Sequence, residues 1–229
     1  MSSSGPPSIA LSAPPPPVML RSTAFVASFA VSSAFMAPTA HMMQGSRVSN
    51  TRMAEAEAEE APVYPSSWDK EGILKIGRGE IFGKDNARLP LPPMLMMDRI
   101  LETSADGGLH GKGHVVAELD INPDLWFFPC HFDGNPIMPG CLGLDALWQL
   151  TGYNLAWRGW QGKGYALGVG NVAFKGMVRP DRKLVRYEVD FTKWVKGKRL
   201  TMGVADGKMY ADGELLYETT DMKVAFSDA

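Results

Sequence analysis

Cys141-Leu-Gly-Leu-Asp145-Ala-Leu-Trp-Gln149-Leu-Thr-Gly-Tyr153-Asn-Leu-Ala-Trp157-Arg158 decides the fold of this chain. The run has no proline and only two internal glycines, and its apolar side chains fall on nearly every face, among them Leu142, Leu144, Ala146, Leu147, Leu150, Tyr153 and Leu155. It is long enough for about five helical turns, and a helix apolar all round is one surrounded by protein. Pro139-Gly140 is placed to start it and Gly159 to stop it. Asp145 and Gln149 fall four residues apart, on one side of this otherwise apolar cylinder. Two polar groups there need a reason.

What surrounds the helix is a sheet. Residues 185–192 alternate apolar and polar side chains, the period of a half-buried antiparallel strand, and Leu200, Met202 and Val204 repeat the habit. Asp206-Gly207 and Asp212-Gly213 each stand between strand-like runs, and Asp-Gly supplies the positive φ of a two-residue hairpin turn, so residues 198–226 are predicted as an antiparallel meander. Residues 94–103 and 111–121 read as two earlier strands joined by a turn at 104–108, and residues 164–178 as another. One buried helix against an antiparallel sheet predicts an α+β domain whose sheet curls around the helix.

Directly before the helix runs Trp126-Phe-Phe-Pro-Cys130-His131-Phe-Asp-Gly-Asn-Pro-Ile-Met-Pro139-Gly140-Cys141. A lone histidine among aromatics is more often structural than catalytic, and a carboxylate near a helix N-terminus is favoured by the macrodipole alone. Taken together they say more. His131 in the entering loop is a candidate base, and Asp145 in the second turn a candidate acid. The backbone N–H groups of Gly140 and Cys141 at the positive end of the helix form an oxyanion site. Such a set suits removal of a proton beside a carbonyl, with Gln149 on the same helix side as a substrate-facing polar group.

The run from Cys130 to Leu150 closely resembles the active-site segment of the bacterial β-hydroxydecanoyl-acyl carrier protein dehydratase/isomerase family. Gly77-Arg-Gly-Glu-Ile-Phe-Gly83, Met94-Leu-Met-Met-Asp-Arg99, Ala117-Glu-Leu-Asp-Ile-Asn-Pro-Asp-Leu-Trp-Phe-Phe128, Ala166-Leu-Gly-Val-Gly170 and Asp221-Met-Lys-Val224 extend the resemblance over about residues 68–226. It implies the hot-dog fold, a long central helix wrapped by an antiparallel sheet, and a homodimer whose active sites are shared between subunits. It also implies His131 as the catalytic histidine, Asp145 as the catalytic acid and Gly140 as the residue whose N–H holds the thioester oxygen. The implied activity is dehydration of 3-hydroxyacyl-acyl carrier protein to the trans-2-enoyl product in type II fatty-acid biosynthesis. Aspartate at the acid position matches the branch that also isomerises trans-2 to cis-3 decenoyl thioesters, whereas dehydratase-only relatives usually carry Glu. Asp133 and Asn135 depart from the commonest loop residues and bear on substrate geometry more than on chemistry. Hot-dog folds also host acyl-thioester hydrolases, which is the alternative reading.

Outward from this domain the composition changes. Residues 1–54 hold no Asp or Glu, but contain Arg21, Arg47, Arg52, many Ser and Ala, and the proline run from Pro14 to Pro17. Arg21, the apolar stretch 23–31 and the small residues 32–37 follow the order of a secretory signal, and residues 39–53 have the Ser-, Met- and Arg-rich composition of a transit peptide. With Phe35 in Ser32-Ser-Ala-Phe-Met-Ala-Pro38, the pair resembles a bipartite plastid presequence, so the expected location is the plastid stroma, with the mitochondrion as the alternative. Residues 55–61, with Glu55, Glu57, Glu59 and Glu60, read as an acidic linker, and residues 62–229 as the folded domain.

From residue 61 onward there are 20 basic and 21 acidic residues and no long Lys/Arg run, so the electrostatic footprint of a nucleic-acid binder is missing. No stretch is long and apolar enough for stable membrane insertion. Two cysteines, Cys130 and Cys141, rule out a disulfide scaffold, and reduced thiols are the expectation for them. His110-x-x-x-His114 lacks a third ligand, and Gly168-x-Gly170 lacks the rest of a dinucleotide fingerprint. Neither a metal nor a cofactor is expected, and the expected partner is an acyl carrier protein.

Overall fold

The computed structural model describes residues 63–197 and 200–227; the presequence and acidic linker expected over residues 1–61 lie outside them. The elements are α1 (Lys70–Arg78), β1 (Arg99–Ser104), β2 (His114–Asp120), α2 (Gly140–Trp157), β3 (Lys163–Gly168), β4 (Asn171–Phe174), β5 (Leu184–Lys196), β6 (Leu200–Ala211) and β7 (Glu214–Ser227). The strands form one antiparallel sheet in the order β1-β2-β5-β6-β7-β3, with β4 also paired to β7. Period-2 burial in β5 turns Val185, Tyr187, Val189 and Phe191 inward, each fully buried, onto α2. Irregular register in β5–β6 and β6–β7 bends the long central strands, so the sheet wraps the helix as the hot-dog arrangement requires. Among the described residues, no helix is long and apolar enough to cross a membrane.

The structure corrects several expectations. Asp206-Gly207 is not a turn, because β6 runs through it, with Asp206 opposite Asp190 and Gly207 opposite Thr219. A Cβ on Gly207 would stand 2.7 Å from Met222 Cε and 3.0 Å from Leu147 Cδ1, so this glycine serves a close approach of helix to sheet. Asp212-Gly213 does turn, with φ of 50° and 86°. The strand expected over 94–103 begins only at Arg99, because residues 90–93 hold three prolines, and a chain leaving them reaches its first ladder bond late. Residues 164–178 hold two strands, β3 and β4.

A second helix was not expected. In α1, Asp69 caps the N-terminus by accepting from the Gly72 N–H at 2.8 Å, and Gly79 closes the C-terminus in the left-handed region. It buries Ile73 and Ile76 under the core.

Nor is α2 buried on every side. Leu142, Ala146, Leu147, Leu150, Thr151 and Leu155 face the sheet. Gly140, Cys141, Leu144, Asp145, Trp148, Gln149 and Gly152 form a continuous stripe at helical spacing that is half-buried or exposed.

Candidate functional site

That stripe and the loop before it carry all the residues expected at the site. Phe127 and Phe128, buried and packed edge to face, anchor the loop, and the Trp126 indole N–H donates to the Pro93 carbonyl at 3.0 Å. Gly134, at φ 71°, turns the chain so that Phe132 and Asn135 exchange backbone hydrogen bonds. The His131–Phe132 peptide is cis. Arg179 donates to Asn135 Oδ1 at 3.1 Å, which ties the departing loop residue to the chain before β5.

His131 is half-buried, with Nδ1 3.1 Å from the Ile137 carbonyl oxygen. A carbonyl only accepts, so Nδ1 is the donor in this contact, and Nε2 is the ring nitrogen left without a partner among the described residues.

Pro139 precedes α2 with no side-chain cap, and the first turn holds no acidic residue. The first helical N–H groups have no partner within a helix, and among the described residues none is supplied for Gly140 or Cys141. Two unpaired donors thus meet the positive end of an 18-residue helix.

One turn on, Asp145 is half-buried, and its Oδ2 accepts from Gln149 Nε2 at 2.6 Å. Gln149 is itself fixed, because Nε2 also donates to the Met94 carbonyl at 2.9 Å and Oε1 accepts from the Met96 N–H at 3.3 Å. With Oδ2 engaged as an acceptor, Oδ1 is the oxygen of Asp145 left without a partner among the described residues. Asp145, Trp148 and Gln149 open onto a cavity of about 170 Å³ whose other walls include Ile76, Phe82, Leu89 and Phe226. The lining is that of a slot for an apolar chain with polar groups where the chain's functional end would lie.

His131 does not line this cavity and shares no hydrogen bond with Asp145. Within one chain the candidate base and acid are therefore not brought together. Cys130 and Cys141 are free thiols and exposed. His110 and His114 each face a carboxylate, His110 Nε2 to Asp206 Oδ2 at 3.1 Å and His114 Nδ1 to Asp190 Oδ1 at 2.7 Å, and so fasten the β1–β2 connection to the outside of the sheet.

One residue at this site went unread in the sequence. Tyr217, in β7, stands with Phe174 against the first turn of α2. A tyrosine in a strand carries no local mark of a contact with residues more than seventy positions earlier.

Among solved structures, three are similar to this chain in part. The dehydratase heterocomplex ApeI:P from Xenorhabdus doucetiae is 15% identical with a TM-score of 0.44, over 61% of this chain and 86% of that one. A hypothetical thioesterase protein with coenzyme A from Streptococcus pneumoniae is 14% identical with a TM-score of 0.37, over 51% and 81%. The E. coli PaaI protein from the phenylacetic acid degradation operon is 10% identical with a TM-score of 0.37, over 49% and 75%. At the level of sequence, the model of the FabA-like domain matches residues 89–220, which takes in the loop, all of α2 and most of the sheet. With that match over more than half of its length, the chain belongs to the FabA-like domain family and has the hot-dog fold.

Proposed function

We propose that this protein dehydrates 3-hydroxyacyl-acyl carrier protein to the trans-2-enoyl thioester and isomerises the ten-carbon product to the cis-3 form. The observation that carries this reading is the stripe on α2. Unpaired Gly140 and Cys141 N–H groups, an oriented Asp145 carboxyl and an apolar cavity follow one another along one helix side. A thioester oxygen held at the helix start takes up negative charge as His131 Nε2 removes the C2 proton. The C3–O bond then breaks, and Asp145 Oδ1 delivers its proton to the departing oxygen, which leaves as water. Dehydration leaves the proton on His131 and none on Asp145, so the first proton must pass back to reset the pair; for isomerisation the imidazole, neutral again, then removes a C4 proton and returns it to C2.

The acid and base act across a homodimer. The separation of His131 from Asp145 in one chain supports this, as do the half-buried stripe and the outer edge of β3, where Tyr165 and Leu167 are more than half exposed. The substrate partner is an acyl carrier protein, and residues 1–54 direct the chain to the plastid, which a fluorescent fusion of those residues would test.

The deciding assay supplies 3-hydroxydecanoyl-acyl carrier protein to the purified chain and resolves the products by chromatography. Trans-2 and cis-3 decenoyl thioesters are expected, and His131→Ala or Asp145→Asn should reduce their formation by about 10²- to 10⁴-fold while leaving the dimer intact. Trans-2 product alone would remove isomerisation from the proposal. Free 3-hydroxydecanoic acid with no enoyl product would replace it with thioester hydrolysis.

A further inference from the structure

The ring of Tyr217 lies along the glycine side of the first turn of α2. A Cβ on Gly143 would stand 2.4 Å from its Cε2 and 2.9 Å from its Cδ2, and one on Gly140 would stand 3.5 Å from its hydroxyl oxygen. The ring thus points along the helix from Gly143 toward Gly140, and its hydroxyl ends beside the residue where the helix begins. Phe174 holds it edge-on, with centroids 4.8 Å apart and planes at 84°. The side chain is only 2% exposed, yet its hydroxyl has no hydrogen-bond partner among the described residues. It is not sealed either, since among the described residues the enclosed polar atoms without partners are Ser104 Oγ, Asn154 Nδ2 and the Tyr187 hydroxyl. Buried phenols ordinarily find a partner. This one ends open, beside two unpaired backbone donors.

We infer that the Tyr217 hydroxyl is a third donor, with the Gly140 and Cys141 N–H groups, to the thioester oxygen bound at the start of α2. The inference rests on the dehydratase reading above and names a further residue of that site. Burial pushes the phenol up to about 12, so at neutral pH it keeps its proton and can only strengthen, not oppose, the charge growing on an enolate oxygen. The arrangement also gives Gly143 a role, because no other side chain lets the ring lie close enough to carry its hydroxyl to the helix end.

Tyr217→Phe keeps the ring and deletes the donor. With 3-hydroxydecanoyl-acyl carrier protein, kcat should fall about 100-fold while KM changes little, as for loss of one oxyanion donor. A purely structural role would not change how the site recognises a carbonyl. That is read by binding two saturated decanoyl-pantetheine analogues that cannot turn over, a ketone in which CH₂ replaces sulfur and the matched thioether with no carbonyl. The wild-type chain should prefer the ketone, and Tyr217→Phe should cut that preference by about tenfold. An unchanged preference and unchanged kcat in the variant would overturn the role of Tyr217. A wild-type chain that shows the ketone preference but makes no enoyl product would instead overturn the dehydratase reading and leave Tyr217 tested. Should Tyr217→Phe fail to fold, 3,5-difluorotyrosine at 217 keeps both ring and hydroxyl and should raise the ketone preference; no change would overturn the proposal.

Discussion

The two long sides of α2 are made from one continuous run of residues and do opposite things. The side toward the sheet is closed, with Ala146, Leu147, Leu150 and Leu155 without exposure, and its fit is set by volume. The other side, from Gly140 to Gly152, is half open, and its polar groups are held in place one by one through Gln149. Along the first, a side chain is right if it fills space. Along the second it is right if it points an atom. The same substitution should therefore have different consequences on the two sides.

Two glycines make the sharpest test. A Cβ on Gly143, on the closed side, would meet Tyr217 Cε2 at 2.4 Å and Met209 Sδ at 2.8 Å, so Gly143→Ala should cost about 1 to 3 kcal/mol of overpacking. On Gly152 the nearest atom to a Cβ would be Val224 Cγ1 at 3.5 Å, an ordinary contact. There alanine should stabilise by up to about 1 kcal/mol through helix propensity, while narrowing the cavity that Gly152 lines. Urea midpoints at unchanged m would show the opposite signs. Equal effects of the two changes would abolish the distinction.

The same contrast explains what the sequence could show. Burial by volume leaves a periodic trace, so α2 is legible within a residue at each end and the alternation of β5 is plain in residues 185–192. Polar pairs at helical spacing are legible too, and Asp145 and Gln149 do bond to each other. Contacts between distant segments leave no such trace. Asp206-Gly207 and Asp212-Gly213 are the same dipeptide, but the first is kept within β6 by pairing of both residues to β5, of Gly207 to β7 across a register shift, and by the close approach of Leu147, and only the second is free to turn. Helix α1 is a different kind of miss. Its cap, Asp69, and its stop, Gly79, are both in the sequence, but its nine residues include two glycines, Gly72 and Gly77, whose low helix propensity argues against a helix so short. That one side of α2 stays half open was hidden as well, because Leu144 and Trp148 are as apolar as Leu147 and Leu150.

Gln149→Leu probes the open side directly. It removes the donor to Asp145 Oδ2 and to the Met94 carbonyl and the acceptor for the Met96 N–H, at a cost of about 1 to 2 kcal/mol since the site is only half-buried. Turnover should fall further than stability, by about tenfold, because an unheld Asp145 carboxyl rotates away from the geometry of proton delivery. Thermal melting and kcat measured on the same preparation would separate the two. A loss of stability with full turnover would mean that Gln149 packs the 94–96 segment and does nothing for Asp145.

The smallest effect is expected far from both sides, where Arg99 grips Asp120 through two hydrogen bonds of 2.8 and 2.9 Å and Glu118 through a third of 2.8 Å. The bond from Arg99 holds the Asp120 carboxyl below its ordinary value of 3.8. A depressed carboxyl contributes stability above its unfolded value and loses it as pH falls through the folded one, so this pair weakens only below about pH 4. Asp120 is 59% exposed, which leaves the pair worth well under about 1 kcal/mol. Asp120→Asn should accordingly lower the melting temperature slightly at pH 7 and not at all near pH 2. Between pH 5 and pH 8 it should leave the profile of turnover unmoved. A shift of that profile would mean that the ion pair reaches the open side of α2 through β1 and β2; its absence removes the pair from the groups that set the profile and leaves its effect confined to the stability of the β1–β2 edge.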